Sequence, residues 1–162
     1  MTTGHGKEAG ALTWRLATFE QLTREDVFDL FKLRQDVFIL EQVCLYSDID
    51  EIDKKVWPLL GHTNDGILAA YLRIIPPLGK YPGPAIGRVV TAPPQRRRGL
   101  GKALMDQGIA HAERLFPTQE IFLSAQTYLL RFYSELGFVT QGAPFMEDGI
   151  EHIEMRRPLM IS

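Results

Sequence analysis

The chemistry-bearing residues are densest between Ile86 and Leu104. A β-rich run, Ile86 to Thr91, meets Pro93-Pro94 and then Gln95-Arg96-Arg97-Arg98-Gly99-Leu100-Gly101-Lys102. Arg96, Arg97, Arg98 and Lys102 place four positive charges within seven residues of a chain whose net charge is −2. A helix is predicted to open here, from Gly99 to about Leu115, stopped by Pro117. The N–H groups of a first helical turn lack intrahelical partners, and the helix dipole favours an anion beside them. Gly99 and Gly101 carry no Cβ, so a phosphate can approach the backbone. The pattern predicts a local phosphate site; the alternative is a basic turn that caps an ordinary helix. Two common nucleotide motifs do not fit. A Walker A loop needs Gly where Arg96 stands and Ser or Thr where Ala103 stands. A dinucleotide fingerprint needs a third Gly where Leu104 stands.

Other reactive side chains are scattered along the chain. Arg34 and Glu41 lie on the apolar stripe Val27, Leu30, Phe31, Arg34, Phe38 of a predicted helix from about Thr23 to Glu41. Two helical turns, ~10 Å, separate them, so both can edge one pocket without pairing. Alternatively, Arg34 pairs with the acidic segment Asp48 to Asp53. Asp48-x-Asp50-x-x-Asp53 lacks the Gly and the final Glu of a calcium loop (Leu59 stands at the latter place), so no metal is expected. His152 shares a strand face with Glu154 and Arg156, opposite Ile153 and Met155. It is read as a structural histidine or as a base working near neutral pH. Cys44 is expected to be a small buried hydrophobe, His5 and His62 to be exposed, and His111 to be a packing residue.

These residues must be held by a domain of ordinary size. The chain has 162 residues, 45% hydrophobic and 23% charged, which is globular composition and long enough for a core of its own. The acidic balance speaks against a nucleic-acid-coating protein. A single cysteine leaves no internal disulfide, which points to a reducing compartment. Residues 1–10 are polar and Gly-rich and are read as a flexible tail with no targeting signal; residues 11–162 are read as one domain. The longest apolar stretch, Ile67 to Ile75, is broken by Arg73 and far too short for a membrane span. A cytoplasmic protein with no membrane partner is expected.

The predicted elements run β-α-β-β-β-α-β-α-β-β, an α/β mixed sheet with helices on both faces. Strands are expected at Thr13–Ala17, Leu60–Thr63, Ile67–Ile75, Ile86–Thr91, Ile121–Leu123, Phe138–Val139 and His152–Arg156. Asn64-Asp65-Gly66 is a hairpin turn. Pro76 to Pro84, with four prolines and two glycines, is loop. The second helix should bury Leu100, Ala103, Leu104, Ala112 and Leu115. A third starts at Thr127 and ends at Gly137. Within it Phe132 and Leu136 are expected to face the core, with Tyr133 rotated towards the helix edge as a half-buried ring.

Arg96-x-x-Gly99-x-Gly101 resembles the acyl-CoA pyrophosphate loop of the GCN5-related N-acetyltransferases (GNAT). Leu130 to Phe138, with Phe132-Tyr133 four residues before Gly137-Phe138, is similar to a second signature of that family, in the same order and at the same separation. Arg34-x-x-Val37-Phe38-x-x-Glu41-Gln42, Cys44-x-Tyr46, Asp48-x-Asp50, Gly87-Arg88-Val89, Ala125-Gln126 and Glu147-Asp148-Gly149-Ile150-x-His152 resemble its ElaA-like subgroup. The likeness spans about Thr13 to Pro158. Trp57-Pro58 departs from it, standing where a histidine is expected.

The resemblance implies the acyl-CoA N-acyltransferase fold, a mixed, mostly antiparallel sheet splayed between its fourth and fifth strands. It implies acetyl-CoA as co-substrate, with the pantetheine arm along Val89, Val90 and Thr91 and the pyrophosphate over Arg96, Arg97, Arg98, Gly99, Leu100, Gly101 and Lys102. Phe132 and Gln126 would also border CoA, Gln126 in place of the usual Asn. The implied reaction is direct attack of an amine on the thioester, with Tyr133 as the general acid and no metal. Glu41 and His152 are candidates for the base or for holding the acceptor, a small-molecule or peptide amine. A monomer or homodimer is expected. Two other readings remain: a non-catalytic acyl-CoA sensor or interaction module, and a homoserine-lactone synthase. The latter shares the Arg34-x-x-Val37-Phe38 pattern but needs an acyl-carrier-protein donor.

Overall fold

The computed structural model describes residues 11–96 and 99–159. Its elements in chain order are β1 (Thr13–Leu16), α1 (Arg24–Arg34), β2 (Trp57–His62), β3 (Leu68–Ile75), β4 (Ala85–Thr91), α2 (Leu100–Leu115), β5 (Ile121–Gln126), α3 (Leu130–Glu135), β6 (Val139–Glu147) and β7 (Ile150–Arg157). The strands form one sheet in the order β1-β2-β3-β4-β5-β7-β6. All neighbours are antiparallel except β4 and β5. That parallel pair meets only at Ala85 and Phe122, reinforced by Phe122 N–H donating to Pro84 O at 2.9 Å. Beyond this point the two strands diverge, as the sequence reading anticipates.

Each helix start follows from local chemistry. Thr23 caps α1 in a reciprocal box: its hydroxyl accepts from Asp26 N–H at 3.0 Å, and Asp26 accepts from Thr23 N–H at 2.9 Å. Gly99, with φ +68°, makes the left-handed turn that opens α2. Gly108 of α2 sits directly over β3; a Cβ there would lie 2.6 Å from Leu72 Cδ2, so a larger residue would force the Leu72 side chain to move. The core has two layers. Leu30, Leu33, Val37 and Phe38 of the first helical segment cover Leu60, Tyr71 and Val90 on one sheet face. Leu104, Met105 and Ala112 of α2 cover Leu59, Leu72 and Ile74 on the other, joined by Leu123, Phe138 and Met155.

Several sequence expectations are corrected. The first helix is not α-helical to Glu41: after Arg34 it widens into a π-helical stretch, Gln35–Glu41. Gln42 N–H donates to Val37 O and Cys44 N–H to Ile39 O, both at 3.1 Å and five residues back. The wider turn buries Val37 and Phe38 while Glu41 and Gln42 border a cleft. β2 begins at Trp57, before the expected Leu60, and includes Pro58. Its carbonyl accepts from Ala17 N–H just past the end of β1, so its missing N–H costs only the reciprocal bond at the frayed end of that pairing. In α2, Met105, Gly108 and Ile109 are buried, whereas Ala103 and Leu115 are only partly covered. β6 is far longer than expected because pairing with β7 holds Gly142 and Pro144 in a strand, at an irregularity between Gln141 and Phe145.

Candidate active site

The divergence of β4 from β5 opens a cavity of about 800 Å³. Its walls are β4 from Ala85 to Thr91, Ser124 and Gln126 of β5, the π-helical stretch, and Tyr133 of α3. The turn between β6 and β7, with Glu147, Asp148 and His152, closes one side. β4 carries a bulge here. Tyr71 pairs with Val90 and Arg73 with Gly87, so Leu72 alone opposes Arg88 and Val89, and Arg88 takes φ +51°. Val90 packs on the α1 side of the sheet and Val89 against the core on the other side. The edge of β4 towards β5 has no strand partner from Ile86 onwards.

At the mouth, Arg96 follows Thr91 by five residues and donates both terminal nitrogens to Glu41, at 2.8 and 2.7 Å. Arg96 also donates to Thr91 O at 3.3 Å. This fork–fork pair holds the Glu41 carboxyl below the usual carboxylate range. Two residues expected in different roles, one for phosphate and one for the acceptor, are therefore bonded to each other. Gly101 lies against Phe132; a Cβ there would sit 3.6 Å from the ring, an ordinary contact. Lys102 pairs with Asp106 at 2.7 Å, both largely exposed. Leu100 is buried at the start of α2. Arg97 and Arg98 lie outside the described residues, as does His5.

Tyr133 is not at a helix edge. It is 6% exposed and is the buried aromatic of α3, while Phe132 is only partly covered. Its ring packs edge-on to Phe132 and Phe138, with centroids 5.0 and 6.1 Å away. The phase inferred from a longer helix fails because α3 has only six residues and follows a 3₁₀ turn, Thr127–Leu129. Burial, with a smaller contribution from Tyr128, pushes the Tyr133 phenol well above its ordinary value.

His152 is 8% exposed. Its Nδ1 lies 2.7 Å from Ile150 O, a carbonyl that only accepts, so Nδ1 donates and in the neutral ring Nε2 is the acceptor. Nε2 is 3.6 Å from Glu147 Oε2, and Phe145 stacks on the ring at 6.0 Å. The cross-strand neighbour Gln126 receives a hydrogen bond from Gln42 at 3.5 Å, which joins β5 to the π-helical stretch. Cys44 is partly exposed rather than buried, its thiol 2.9 Å from Asp148 O. His62 is half-buried, and the partly covered His111 contacts Arg114 at 3.1 Å.

Arg34 takes the alternative role weighed for it. It is 0% exposed and donates to Asp48 at 2.9 Å, to Asp53 at 2.7 and 3.2 Å, and to Asp48 O at 2.7 Å. Arg73 donates to Asp50 and Asp53 at 2.8 Å, and Arg88 contacts Asp48 at 2.9 Å. The three carboxylates are thus occupied by three guanidinium groups. Sequence reading missed the last two arginines. The available signal was Arg73 itself, a charge inside an otherwise apolar strand. It also missed Tyr81, which stacks on Phe122 at 5.1 Å, donates to Glu154 and closes the cavity beneath the Pro76–Pro84 loop.

Among the described residues no helix is long and apolar enough to cross a membrane. A family model described as an acetyltransferase (GNAT) domain matches residues 23–159. UPF0039 protein sll0451 of Synechocystis sp. is 40% identical over 144 residues, covering 89% of this chain and 94% of that protein. The crystal structure of an acyl-CoA N-acyltransferase from Pseudomonas aeruginosa superposes with a TM-score of 0.85 at 37% identity, covering 91% of this chain and 100% of that one. Escherichia coli ElaA superposes with a TM-score of 0.84 at 32% identity, covering 91% and 99%.

Proposed function

The chain belongs to the GNAT acetyltransferase family, and from that premise we propose that it transfers an acetyl group from acetyl-CoA to an amine by direct attack. One observation carries the reading: the single paired point between β4 and β5, which leaves a bare strand edge leading from Val89 to the basic turn at Arg96. The two amides of a pantetheine arm pair with such an edge as an added strand does. The pyrophosphate then lies at the start of α2, over Arg96, Arg97, Arg98, Gly99, Leu100, Gly101 and Lys102, where free N–H groups and positive charge coincide. Phe132 packs beneath Gly101 and shapes the floor of that turn; Gln126 borders the thioester end.

The bulge at Arg88 and Val89 interrupts the ladder where the thioester carbonyl must lie, so a backbone N–H of Val89 or Val90 serves as the oxyanion donor. Tyr133 gives its proton to the departing CoA thiolate. Burial keeps the phenol protonated, so it acts late, by hydrogen-bonding the developing thiolate before the proton moves. No step needs a metal. The enzyme works in the cytoplasm, on a small-molecule or peptide amine.

The test is calorimetry with acetyl-CoA followed by thiol release on a panel of primary amines. Binding with turnover supports the proposal. Tight binding without turnover of any amine would instead identify an acyl-CoA sensor, and absence of binding would overturn both.

A further inference from the structure

The geometry points to the place where the acceptor nitrogen docks: it arrives as a primary ammonium between Glu147 Oε2 and His152 Nε2, and His152 takes its first proton. This inference rests on the acetyl-transfer reading above and names the acceptor side of the same site.

Both side chains have hydrogen-bonding capacity to spare. Nδ1 of His152 is committed to Ile150 O at 2.7 Å, so Nε2 presents a lone pair. Glu147 Oε2, 3.6 Å away, is also an acceptor. With the ring neutral, two acceptors face each other at that distance, an arrangement that a donor lying against both relieves. An ammonium has three N–H groups in a tetrahedral array and reaches the two together. The side chains are held ready for it. His152 is nine-tenths buried, stacked on Phe145 and paired across the ladder with Gln126, while Glu147 is 44% exposed at the cavity rim, where a solvated cation enters. The carboxylate beside the ring favours a cation over an anion in this corner.

The other charged groups around the cavity leave this corner as the cation site. Glu41 is neutralised by Arg96, Asp50 by Arg73, and Arg88 by Asp48. Lys80 lies over the Tyr81 ring at 5.3 Å, at the end where Tyr81 is bonded to Glu154. Asp148, next to Glu147, makes no ion pair among the described residues and adds to the negative potential of the turn. Tyr46 and Tyr128 complete the titratable lining, with Tyr133 as the acid. Burial first, and then Asp48, pushes the Tyr46 phenol up to about 12, so it does not compete for the acceptor's proton.

The protons balance. The ammonium loses one proton to Nε2, giving an imidazolium paired with the Glu147 carboxylate. The neutral amine then forms the C–N bond as the thioester C–S bond breaks. The second proton leaves the nitrogen through Tyr133 and ends on the CoA sulfur, and His152 returns its own proton to water.

Two variants test the assignment, Glu147→Gln and His152→Gln, with putrescine and a lysine peptide as acceptors. Glu147→Gln is expected to raise the acceptor KM about 10-fold or more with acetyl-CoA affinity unchanged. His152→Gln should lower kcat by about 100-fold, again with unchanged CoA affinity, which also certifies the fold. Wild-type KM in the first and wild-type kcat in the second would overturn the inference while leaving acetyl transfer standing. Should no amine release thiol, the transfer reading falls, and the ring nitrogens of His152 in the CoA complex give an independent readout. Putrescine must then shift Nε2 in the wild type and not in Glu147→Gln; no shift in the wild type removes the docking site.

Discussion

Two clusters of charged and polar side chains border the same cleft, and they are built on opposite terms. In the first, Arg34, Arg73 and Arg88 face Asp48, Asp50 and Asp53, and the charges cancel. Arg34 uses Nε and both terminal nitrogens on these partners, and its guanidinium lies 5.0 Å from the Phe31 ring and 5.9 Å from that of Tyr71. In the second, Tyr133, His152 and Glu147 share the cavity with bonding capacity left over: among the described residues Nε2 of His152 meets no donor, and Glu147 meets only Nε2. Charge alone does not separate structure from chemistry. Groups paired within the protein brace the acidic segment against α1 and β3, with Arg73 Nε, Arg88 Nε and Asp48 Oδ1 left without a hydrogen bond among the described residues, whereas the second cluster offers the bonding capacity on which the docking proposal rests. The cost of burying charge is offset in the first cluster by ion pairs within the protein, whereas in the second the carboxylate of Glu147 stays at the solvated rim.

The sharpest way to break the comparison is to remove one charge from the first cluster. Arg34→Ala leaves Asp48 and Asp53 short of a buried partner, and removing one member of such a network costs about 3–5 kcal/mol. At roughly 2–4 °C per kcal/mol for a chain of this size, the midpoint should fall by about 10 °C in a thermal melt followed by circular dichroism. An unshifted midpoint would mean that the network is not what holds the acidic segment.

Tyr133→Phe probes the second cluster. The ring and its contacts with Phe132 and Phe138 remain, so the melt should barely move, while kcat should drop about 10²-fold, or about 2.7 kcal/mol. Because burial raises the phenol's pKa, its ionisation produces no fall in rate over the working range. The pH–rate profiles of wild type and variant should therefore run parallel above pH ~9. A variant with wild-type kcat would reduce Tyr133 to packing.

Gly101→Asp places a carboxylate at the phosphate turn. Among the described residues the new Cβ meets only the Phe132 ring, at 3.6 Å, so the fold should survive. Acetyl-CoA should bind at least ~10-fold more weakly, a loss of about 1.4 kcal/mol or more. Calorimetry giving wild-type affinity in the folded variant would move the pyrophosphate elsewhere.

The smallest effect is expected at the cleft mouth, where Glu41 and Arg96 form an exposed saturated pair. Glu41→Gln frees Arg96 for phosphate, so acetyl-CoA affinity should rise a few-fold at low salt. The gain should vanish at high salt, because exposed charges are screened. Affinity that does not respond to salt in either protein would show that backbone contacts outweigh the arginines.

Much of this was legible beforehand because it is local. Thr23 and Asp26 form the capping box that their spacing announces. Gly66 and Gly137, with φ +81° and +94°, stand where a turn and a helix end were read. The element order holds from β1 to β7. What failed was decided by distant partners. The π-helical stretch from Gln35 to Glu41 is set by burial of Val37 and Phe38 against the sheet, and no residue in it is a helix breaker. β6 contains Gly142 and Pro144 and reads as loop until β7 supplies its hydrogen bonds.

The site divides the same way. Residue types and spacing along the chain predict a phosphate turn at Arg96 to Lys102, and the family resemblance points to Tyr133, because both rest on neighbours within one turn of helix. Only the folded sheet bonds Glu41 to Arg96 across 55 positions, brings Arg73 to Asp50 and Asp53, and sets His152 Nε2 opposite Glu147. Local backbone preferences are written in consecutive residues, whereas the partner a charge finds depends on which strands lie side by side, a matter of packing the whole chain at once.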